Sequence, residues 1–175
     1  MKKLTFTLCF ALILSVLAAG VAAKATANSS LPRFQDNQIF THKEAGVQFE
    51  LPQGWKSKAD GNEVTVSTAD DSVQMVFWVP DEDNFDAAVK DLDKTLEKTI
   101  KNVKTTSKGK QDTHNGMPHY SEGGTGEVEG VTIEWSVDVL RAKKTIIILT
   151  FSAPGVAEKH ADECAKFISS IKKIQ

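Results

Sequence analysis

The residues with the greatest capacity for chemistry lie in one short stretch, THNGMPHYSEGGTG, at positions 113–126. Its two histidines, His114 and His119, flank an Asn-Gly pair that is typical of a two-residue β-turn. In a tight hairpin the two imidazoles can face each other, close enough to share a metal ion. A zinc site needs at least three protein ligands, and the nearest candidates for the third are Asp112 and Glu122.

The alternative is an exposed hairpin whose glycines serve the turns, and the sequence favours this interpretation. The local pattern does not fix which side chains share a face of the strand, so a complete ligand set is not indicated. We therefore predict no metal, no cofactor and no catalytic residue. His114 and His119 remain the candidates should a metal bind.

A second pair, His160 and Cys164, lies four residues apart on a predicted helix and therefore shares one face. A cysteine–histidine dyad requires such proximity. Cys164, however, falls in an apolar stripe with Ile168 and Ile171, where a buried structural thiol is expected. The chain also lacks a Gly-x-Ser-x-Gly elbow, a phosphate-binding Gly-rich loop followed by lysine, and a His-Glu-x-x-His motif. The sequence therefore does not predict an enzyme.

The acidic run DEDNFD at positions 81–86 suggests calcium ligands at Asp81 and Asp83. An EF-hand loop would then require glycine at Asp86 and glutamate at Leu92, and neither is present. Carboxylates just before a helix instead complement the positive end of its dipole. We interpret this run as the start of a helix.

The N-terminus has the pattern of a secretory signal peptide. Lys2 and Lys3 precede an apolar run over 4–17, and small residues follow it. Cleavage is expected after Ala23, or as late as Ala27. The alternative is an uncleaved membrane anchor, because the apolar segment is about long enough to span a bilayer. We predict a signal peptide over 1–23, a flexible lead-in over 24–40 and a single domain over 41–175.

The segment also resembles the start of a bacterial lipoprotein signal, with one decisive difference. Leu17-Ala18-Ala19 is followed by Gly20, where lipidation would require a cysteine thiol. We therefore expect a periplasmic or secreted protein that is soluble after cleavage and has no stable membrane anchor.

The charge of the predicted mature chain limits its partners. Without Lys2 and Lys3, 19 basic residues face 23 acidic ones, a net charge of −4. A mildly acidic chain without a basic run argues against nucleic acid and against anionic lipid as partners. Cys164 is the only cysteine after cleavage, so no intramolecular disulfide can form.

The hydrophobic periods predict the elements that position these residues. Strands are predicted over 47–51, 63–67, 73–79, 103–112, 117–122, 131–140 and 145–151, with a break at 123–126. Apolar residues three or four apart predict helices from Phe85 to Val103 and from Val156 to Lys172. Trp55, Trp78 and Trp135 are expected in the core. The order β-β-β-α-β-β-β-β-α, with short gaps between strands, predicts an α+β fold in which helices sandwich an antiparallel sheet.

Five stretches of the chain carry a resemblance to a known family: GVQFELPQGW, VFWVPDEDNFD, NGMPHYSEGGTG…GVTIEWSVDVL, TIIILTFSAP and FISSIK. Together they resemble the PsbP/Mog-like fold over about 47–173. That group includes the PsbP proteins of photosystem II, the Ran-binding Mog proteins and bacterial envelope proteins such as the DcrB-like lipoproteins. The resemblance implies the sandwich fold, and it implies no catalytic or cofactor-binding residue because the group has no general catalytic motif.

These observations favour a non-enzymatic binding module of the cell envelope. The expected activity is protein interaction or support of envelope assembly, through an unknown protein partner. The first alternative is a small apolar ligand bound between sheet and helix, and the second is a metal-dependent enzyme.

Overall fold

The computed structural model describes residues 38–61, 63–80 and 83–175. The predicted signal peptide, most of the lead-in and Asp81 lie outside the described residues. The elements, in chain order, are β1 Gln38–His42, β2 Val47–Leu51, β3 Lys56–Asp60, β4 Glu63–Ser67, β5 Val73–Trp78, α1 Phe85–Lys90, α2 Leu92–Leu96, β6 Lys101–His114, β7 Met117–Val128, β8 Val131–Arg141, β9 Thr145–Ser152, a 3-10 turn Ala157–His160, α3 Ala161–Ser170 and β10 Lys172–Lys173. None of the helices in these ranges has the length and apolar character needed to cross a membrane.

Two antiparallel sheets form the framework. The larger has seven strands in the order β3-β4-β5-β9-β8-β7-β6, and the smaller has three in the order β1-β2-β10. Because β6 to β9 follow one another as hairpins, β6 pairs with β7, β7 with β8, and β8 with β9. Strands β3 and β6 form the two edges of the larger sheet.

The centre of the larger sheet is covered on both faces. All eight residues of β9 are buried, as the apolar pattern TIIILTF predicted for a covered strand. On one face, Ile146 and Ile148 join a core with Phe49 of β2 and Phe167 of α3. The small sheet and α3 together therefore form one cover of the sandwich.

The opposite face is built around Trp135. Its register places it beside Phe151, and the next pairs along the strands are Val137 with Leu149 and Val139 with Ile147. Helix α1 lies against β8, and three apolar residues of the same segment are buried, namely Leu92, Leu96 and Ile100. These contacts confirm the predicted α+β sandwich. Trp55 and Trp135 are buried, whereas Trp78 is half-buried.

Aromatic rings hold the smaller sheet onto the larger one. Phe49 stacks on Phe77 with ring centroids 5.3 Å apart and meets the edge of Phe167 at 5.4 Å. Trp55 stacks on Phe167 at 5.4 Å. Each such pair adds about 0.5–1.5 kcal/mol beyond area burial, so this cluster fixes α3 and β2 over the central strands.

The predicted helix from Phe85 to Val103 was wrong in its continuity. The chain leaves helical geometry at Asp91, where φ is −96° and ψ is 9°, and resumes as a short second helix. The Asp91 side chain forms no cap and instead accepts from Lys94 Nζ, and the backbone hydrogen bonds from Asp91 N–H to Ala87 and from Thr95 N–H to Asp91 continue across this boundary. The apolar stripe is nevertheless buried as far as Ile100, after which Val103 belongs to β6.

The sequence patterns also missed three strands, β1, β3 and β10. The first three residues of β1, Gln38 to Phe40, fall within the stretch interpreted as lead-in. The predicted break at 123–126 was wrong too, since β7 runs without interruption to Val128. Its glycines allow close packing around Trp135, as described below.

Candidate functional site

The β6–β7 hairpin turns at Asn115-Gly116, as predicted. Both residues adopt positive φ, 46° and 72°, which suits a tight two-residue turn. The Asn115 amide donates to the backbone carbonyls of Ser169 (2.9 Å) and Ile171 (2.8 Å). The turn therefore also binds carbonyl groups at the end of α3, which lack partners within the helix.

His119 lies between two aspartates on neighbouring strands. Its Nδ1 is 2.6 Å from Oδ1 of Asp112 on β6, and its Nε2 is 2.9 Å from Oδ1 of Asp138 on β8. Asp112 pairs directly with His119, and Asp138 pairs with Ser121, two residues further along the same face. We call Asp112, His119 and Asp138 the histidine clamp.

The clamp holds His119 as a cation. A neutral imidazole has one N–H, so donating to a carboxylate from both ring nitrogens requires the protonated form. The hydrogen bond with Asp138 raises the pKa of His119, burial opposes that rise, and the hydrogen bond with Asp112 adds to it. His119 is 9% exposed, so little water competes with these bonds.

This arrangement leaves His119 without a lone pair for a metal. The His114 ring is near, with centroids 5.7 Å apart, so the hairpin does bring the two histidines together. Glu122 lies on the opposite face of β7, where it accepts a 2.7 Å hydrogen bond from Tyr120. Within the described ranges, no three or more His, Cys, Asp or Glu side chains are grouped to hold a metal ion.

The pairing of Asp112 with His119 could have been predicted from the sequence. Asp112 stands three residues before Asn115, and His119 three residues after Gly116. In a two-residue hairpin, residues equidistant from the turn face each other, so this pairing follows from the turn alone. The contribution of Asp138 depends on the register of a third strand, which no local pattern fixes.

The glycines of GGTG allow close packing beneath Trp135 rather than a turn. A Cβ at Gly124 would lie 2.1 Å from the Lys104 carbonyl oxygen and 2.9 Å from Cζ2 of Trp135. A Cβ at Gly126 would lie 2.3 Å from Cγ2 of Ile100. The indole donates a 3.0 Å hydrogen bond to the Thr125 carbonyl, which satisfies its buried N–H.

His160 contacts Ser72 and Glu163 rather than forming the cysteine dyad. Its Nε2 is 3.2 Å from Ser72 Oγ, and its Nδ1 is 3.4 Å from Glu163 Oε2. This connectivity resembles a Ser-His-Glu triad. The Ser72 hydroxyl, however, donates to Asp70 at 2.7 Å, so its proton is directed away from His160.

Cys164 lacks the features of a nucleophile. It is half-buried, and burial raises the pKa of its thiol, which disfavours the reactive thiolate. Neighbouring Glu163 adds to the rise through its charge. The prediction of a structural thiol is consistent with this environment.

Asp83 and Asn84, the described residues just before α1, form hydrogen bonds within the protein. The Asp83 carboxylate accepts from the Thr145 backbone N–H at 2.9 Å and from the Arg141 guanidinium. These bonds lower the pKa of Asp83, the Thr145 N–H having the largest effect. Asn84 caps α1 by accepting from the Ala87 N–H at 3.0 Å, as expected for a helix start.

Two depressions in the described surface are open to solvent. One, of about 960 Å³, lies between β2, the hairpin tip and α3, and its lining includes Glu50, Lys166 and Lys172. The other, of about 480 Å³, lies beside Asp83 and Arg141. Most of their lining residues are polar or charged, and both depressions are open, whereas sites for small apolar ligands enclose them.

The described element with the largest number of exposed residues is β6, at the edge of the larger sheet. Twelve of its 14 residues are exposed, all except Val103 and His114. Its four lysines, Lys101, Lys104, Lys108 and Lys110, are all exposed. None of them forms an ion pair with another described residue. Polar contacts for a partner are therefore available here in a continuous row.

No protein-family model matches the chain, and no curated protein sequence matches it significantly. Solved structures do resemble it. Cyanobacterial PsbP (CyanoP) from Synechocystis sp. PCC 6803 aligns over 85% of this chain and 98% of its own, with a TM-score of 0.57 and 11% identity. PA94 from Pseudomonas aeruginosa, a protein of unknown function, aligns over 78% and 96%, with a TM-score of 0.51 and 11% identity. The chain therefore has the PsbP-like fold.

Proposed function

We propose that this protein is a non-enzymatic binding module that acts through its outer surface on a protein partner. The observation that carries the proposal is β6, a strand of 14 residues at the edge of the larger sheet with 12 of them exposed. Edge strands in natural proteins are usually kept short or covered, because their free backbone groups can pair with another chain. A long exposed edge is therefore suited to a partner.

The contacts of His119 and Ser72, the residues closest to a catalytic arrangement, also favour a non-enzymatic function. The nitrogens of His119 are held by Asp112 and Asp138, and the Ser72 hydroxyl is held by Asp70. A general base or nucleophile needs a free lone pair or a proton directed at its base. The metal-dependent enzyme alternative therefore gains no support from these contacts.

The small-ligand alternative is less favoured for a geometric reason. A small apolar ligand is usually enclosed by apolar side chains. The space between sheet and α3 is instead filled by packed aromatic rings, including Phe49, Phe77 and Phe167.

The place of action that we propose is the periplasm or the exterior of the cell. Its support is the signal-peptide pattern at the N-terminus, with Gly20 where a lipoprotein would carry cysteine. The partner would then belong to the cell envelope, and its role would be interaction or assembly support.

Native mass spectrometry of the protein, affinity-purified from its own host after mild cross-linking, tests this function. We expect a complex of defined stoichiometry with a second polypeptide. The control is Trp135→Ala, which removes a buried side chain and destabilises the fold, so the yield of the complex should fall. A monomer that carries a bound small molecule, or a monomer alone, would contradict the proposal.

A further inference from the structure

We infer that the free edge of β6 binds an extended, acidic segment of the partner as an added β-strand. This inference rests on the proposed function and specifies its site and the chemistry of the partner. It requires a backbone edge that is free to pair, a charge pattern that selects the partner, and a reason why a second copy of this chain is not that partner.

The backbone edge is available over an unusual length. β6 is hydrogen-bonded to β7 on one side and ends the sheet on the other. At about 3.3 Å per residue, its 14 residues extend about 46 Å. Strand addition uses such an edge because main-chain N–H and C=O groups supply the contacts.

The regular part of β6 fixes where pairing would be centred. Register shifts occur between Lys101 and Lys104, between Thr105 and Ser107, and between Ser107 and Lys110. From Lys110 to His114 the pairing with β7 continues without a shift. An added strand would therefore pair along Lys110–Thr113, and its further residues would extend beside the lysines before that segment.

The charges select an acidic segment. Register puts Lys101, Lys104 and Lys110 on one face of the sheet, opposite Glu127, Thr125 and Ser121 of β7, and Glu127 forms no ion pair with Lys101. The only carboxylate of β6 is Asp112, which the His119 imidazolium already binds. The lysine ammonium groups have no carboxylate partner among the described residues, so carboxylates of an incoming strand would meet unpaired cations.

The same lysines disfavour a second copy of the chain. Pairing β6 with β6 would place lysines of two strands close together, and like charges across a strand pair are destabilising. Lysines and bulges are common devices that prevent unselective edge pairing. On β6 the lysines and bulges therefore disfavour pairing with a second copy of the chain and favour pairing with an acidic strand.

Fluorescence anisotropy with a synthetic peptide tests this inference. The probe is a labelled 12-residue peptide of alternating glutamate and threonine, and the control peptide has the same sequence with every second amide N-methylated. We expect the probe to bind the purified protein and the N-methylated peptide to bind about tenfold more weakly, because it loses its donors. Hydrogen exchange should show protection of β6 amides that do not bond to β7.

Two triple variants separate the lysine row from the total charge. Lys104→Gln/Lys108→Gln/Lys110→Gln should weaken probe binding by about tenfold or more. Lys58→Gln/Lys90→Gln/Lys98→Gln removes three exposed lysines elsewhere that also have no ion pair with a described residue, and its binding should match that of the wild type.

Three results would overturn the inference: no binding of the probe, equal loss in both triple variants, or equal binding of the N-methylated peptide. The last result would mean attraction by charge without strand pairing. Each leaves the proposed function standing if native mass spectrometry still finds a complex with a second polypeptide, since that partner would then bind elsewhere.

Discussion

His119 shows how a residue suited to chemistry can be used for structure. Both ring nitrogens are bound to carboxylates, so the side chain links β6, β7 and β8 through one buried cation. The residue types alone suggested a metal ligand, because histidine and aspartate serve both purposes. What separates the two is the direct contact between nitrogen and oxygen, at 2.6 and 2.9 Å, which leaves no space for an ion between them.

The histidine clamp predicts a pH-dependent stability. Because its folded pKa is raised above the ordinary value of 6.5, His119 stabilises the fold fully below about pH 6.5, and this contribution is lost as pH rises through the raised pKa. His119→Gln should lower the free energy of unfolding at pH 6 by about 1–3 kcal/mol. Urea denaturation from pH 6 to 9 measures the difference.

The control for this experiment is His114→Gln. His114 contacts Asn115 and the His119 ring but no carboxylate among the described residues, so its variant should follow the pH profile of the wild type. A constant difference between His119→Gln and wild type over the whole pH range would refute the charged clamp.

Substitution of Gly124 tests the close packing of β7 against Trp135. Gly124→Ala should destabilise the protein by about 1–3 kcal/mol, because its Cβ would overlap the Lys104 carbonyl and the Trp135 ring. At Gly123 the nearest atom to an added Cβ is the Trp135 carbonyl oxygen at 3.1 Å, so Gly123→Ala should cost less. Thermal unfolding of both variants gives the order, and the reverse order would show that GGTG has another purpose.

At the scale of elements, the sequence predicts a strand or helix most reliably where each of its faces is either consistently buried or consistently exposed. β2 alternates buried and half-buried residues, β9 is buried throughout, and both were predicted from their apolar patterns. β3, with the sequence KSKAD, is fully exposed, so its strand geometry comes from pairing with β4 and leaves no hydrophobic period to detect. Tertiary pairing of this kind overrides local propensity.

In the candidate site, too, local contacts could be predicted from the sequence and long-range contacts could not. The Asn115-Gly116 turn was predicted, and the facing of Asp112 and His119 follows from it. The contacts of Asp138 with His119, of Ser72 with His160 and of Asn115 with the end of α3 join residues that are 19, 88 and more than 50 positions apart. Such contacts depend on the packing of whole elements, which a single sequence does not specify.

Asn115 provides the test of how these elements are joined. Asn115→Asp keeps the size of the side chain but cannot donate to the carbonyls of Ser169 and Ile171, and its charge would repel them. It should cost about 1–3 kcal/mol and speed hydrogen exchange at the end of α3. Asn115→Gly, which suits positive φ and loses only the bonds, should cost less. If Asn115→Asp matched the wild type, the hairpin tip would have no role in holding α3.

For the whole molecule, the sandwich depends on the covered face at Trp135. Trp135→Ala should cost about 3–5 kcal/mol, because the residue is 3% exposed and packs under the helical layer. Trp135→Phe keeps an aromatic ring and loses the hydrogen bond to Thr125, so its loss should be smaller. Thermal or chemical unfolding measures both, and a normal melting temperature for Trp135→Ala would be incompatible with the sandwich.

The distribution of charge over the whole molecule is what distinguishes one surface from the others. The full chain has a net charge of −2, yet β6 presents four lysines without ion pairs in the described structure. Lysines without an ion pair also occur elsewhere in the described structure, among them Lys58, Lys90 and Lys98, but no other described strand carries four of them. Binding through this edge is therefore the central expectation for the molecule.

Site-specific photo-cross-linking in the native host measures this expectation most directly. A photoreactive residue is placed at Thr106 on β6 and, for comparison, at Lys58 on β3, Lys90 on α1 and Lys166 on α3, all of which are exposed. We expect a discrete cross-linked polypeptide from Thr106 that is absent from the other three positions and is lost in Lys104→Gln/Lys108→Gln/Lys110→Gln. A partner cross-linked from any of the other positions but not from Thr106, or no cross-linked polypeptide from any position, would contradict binding through the β6 edge.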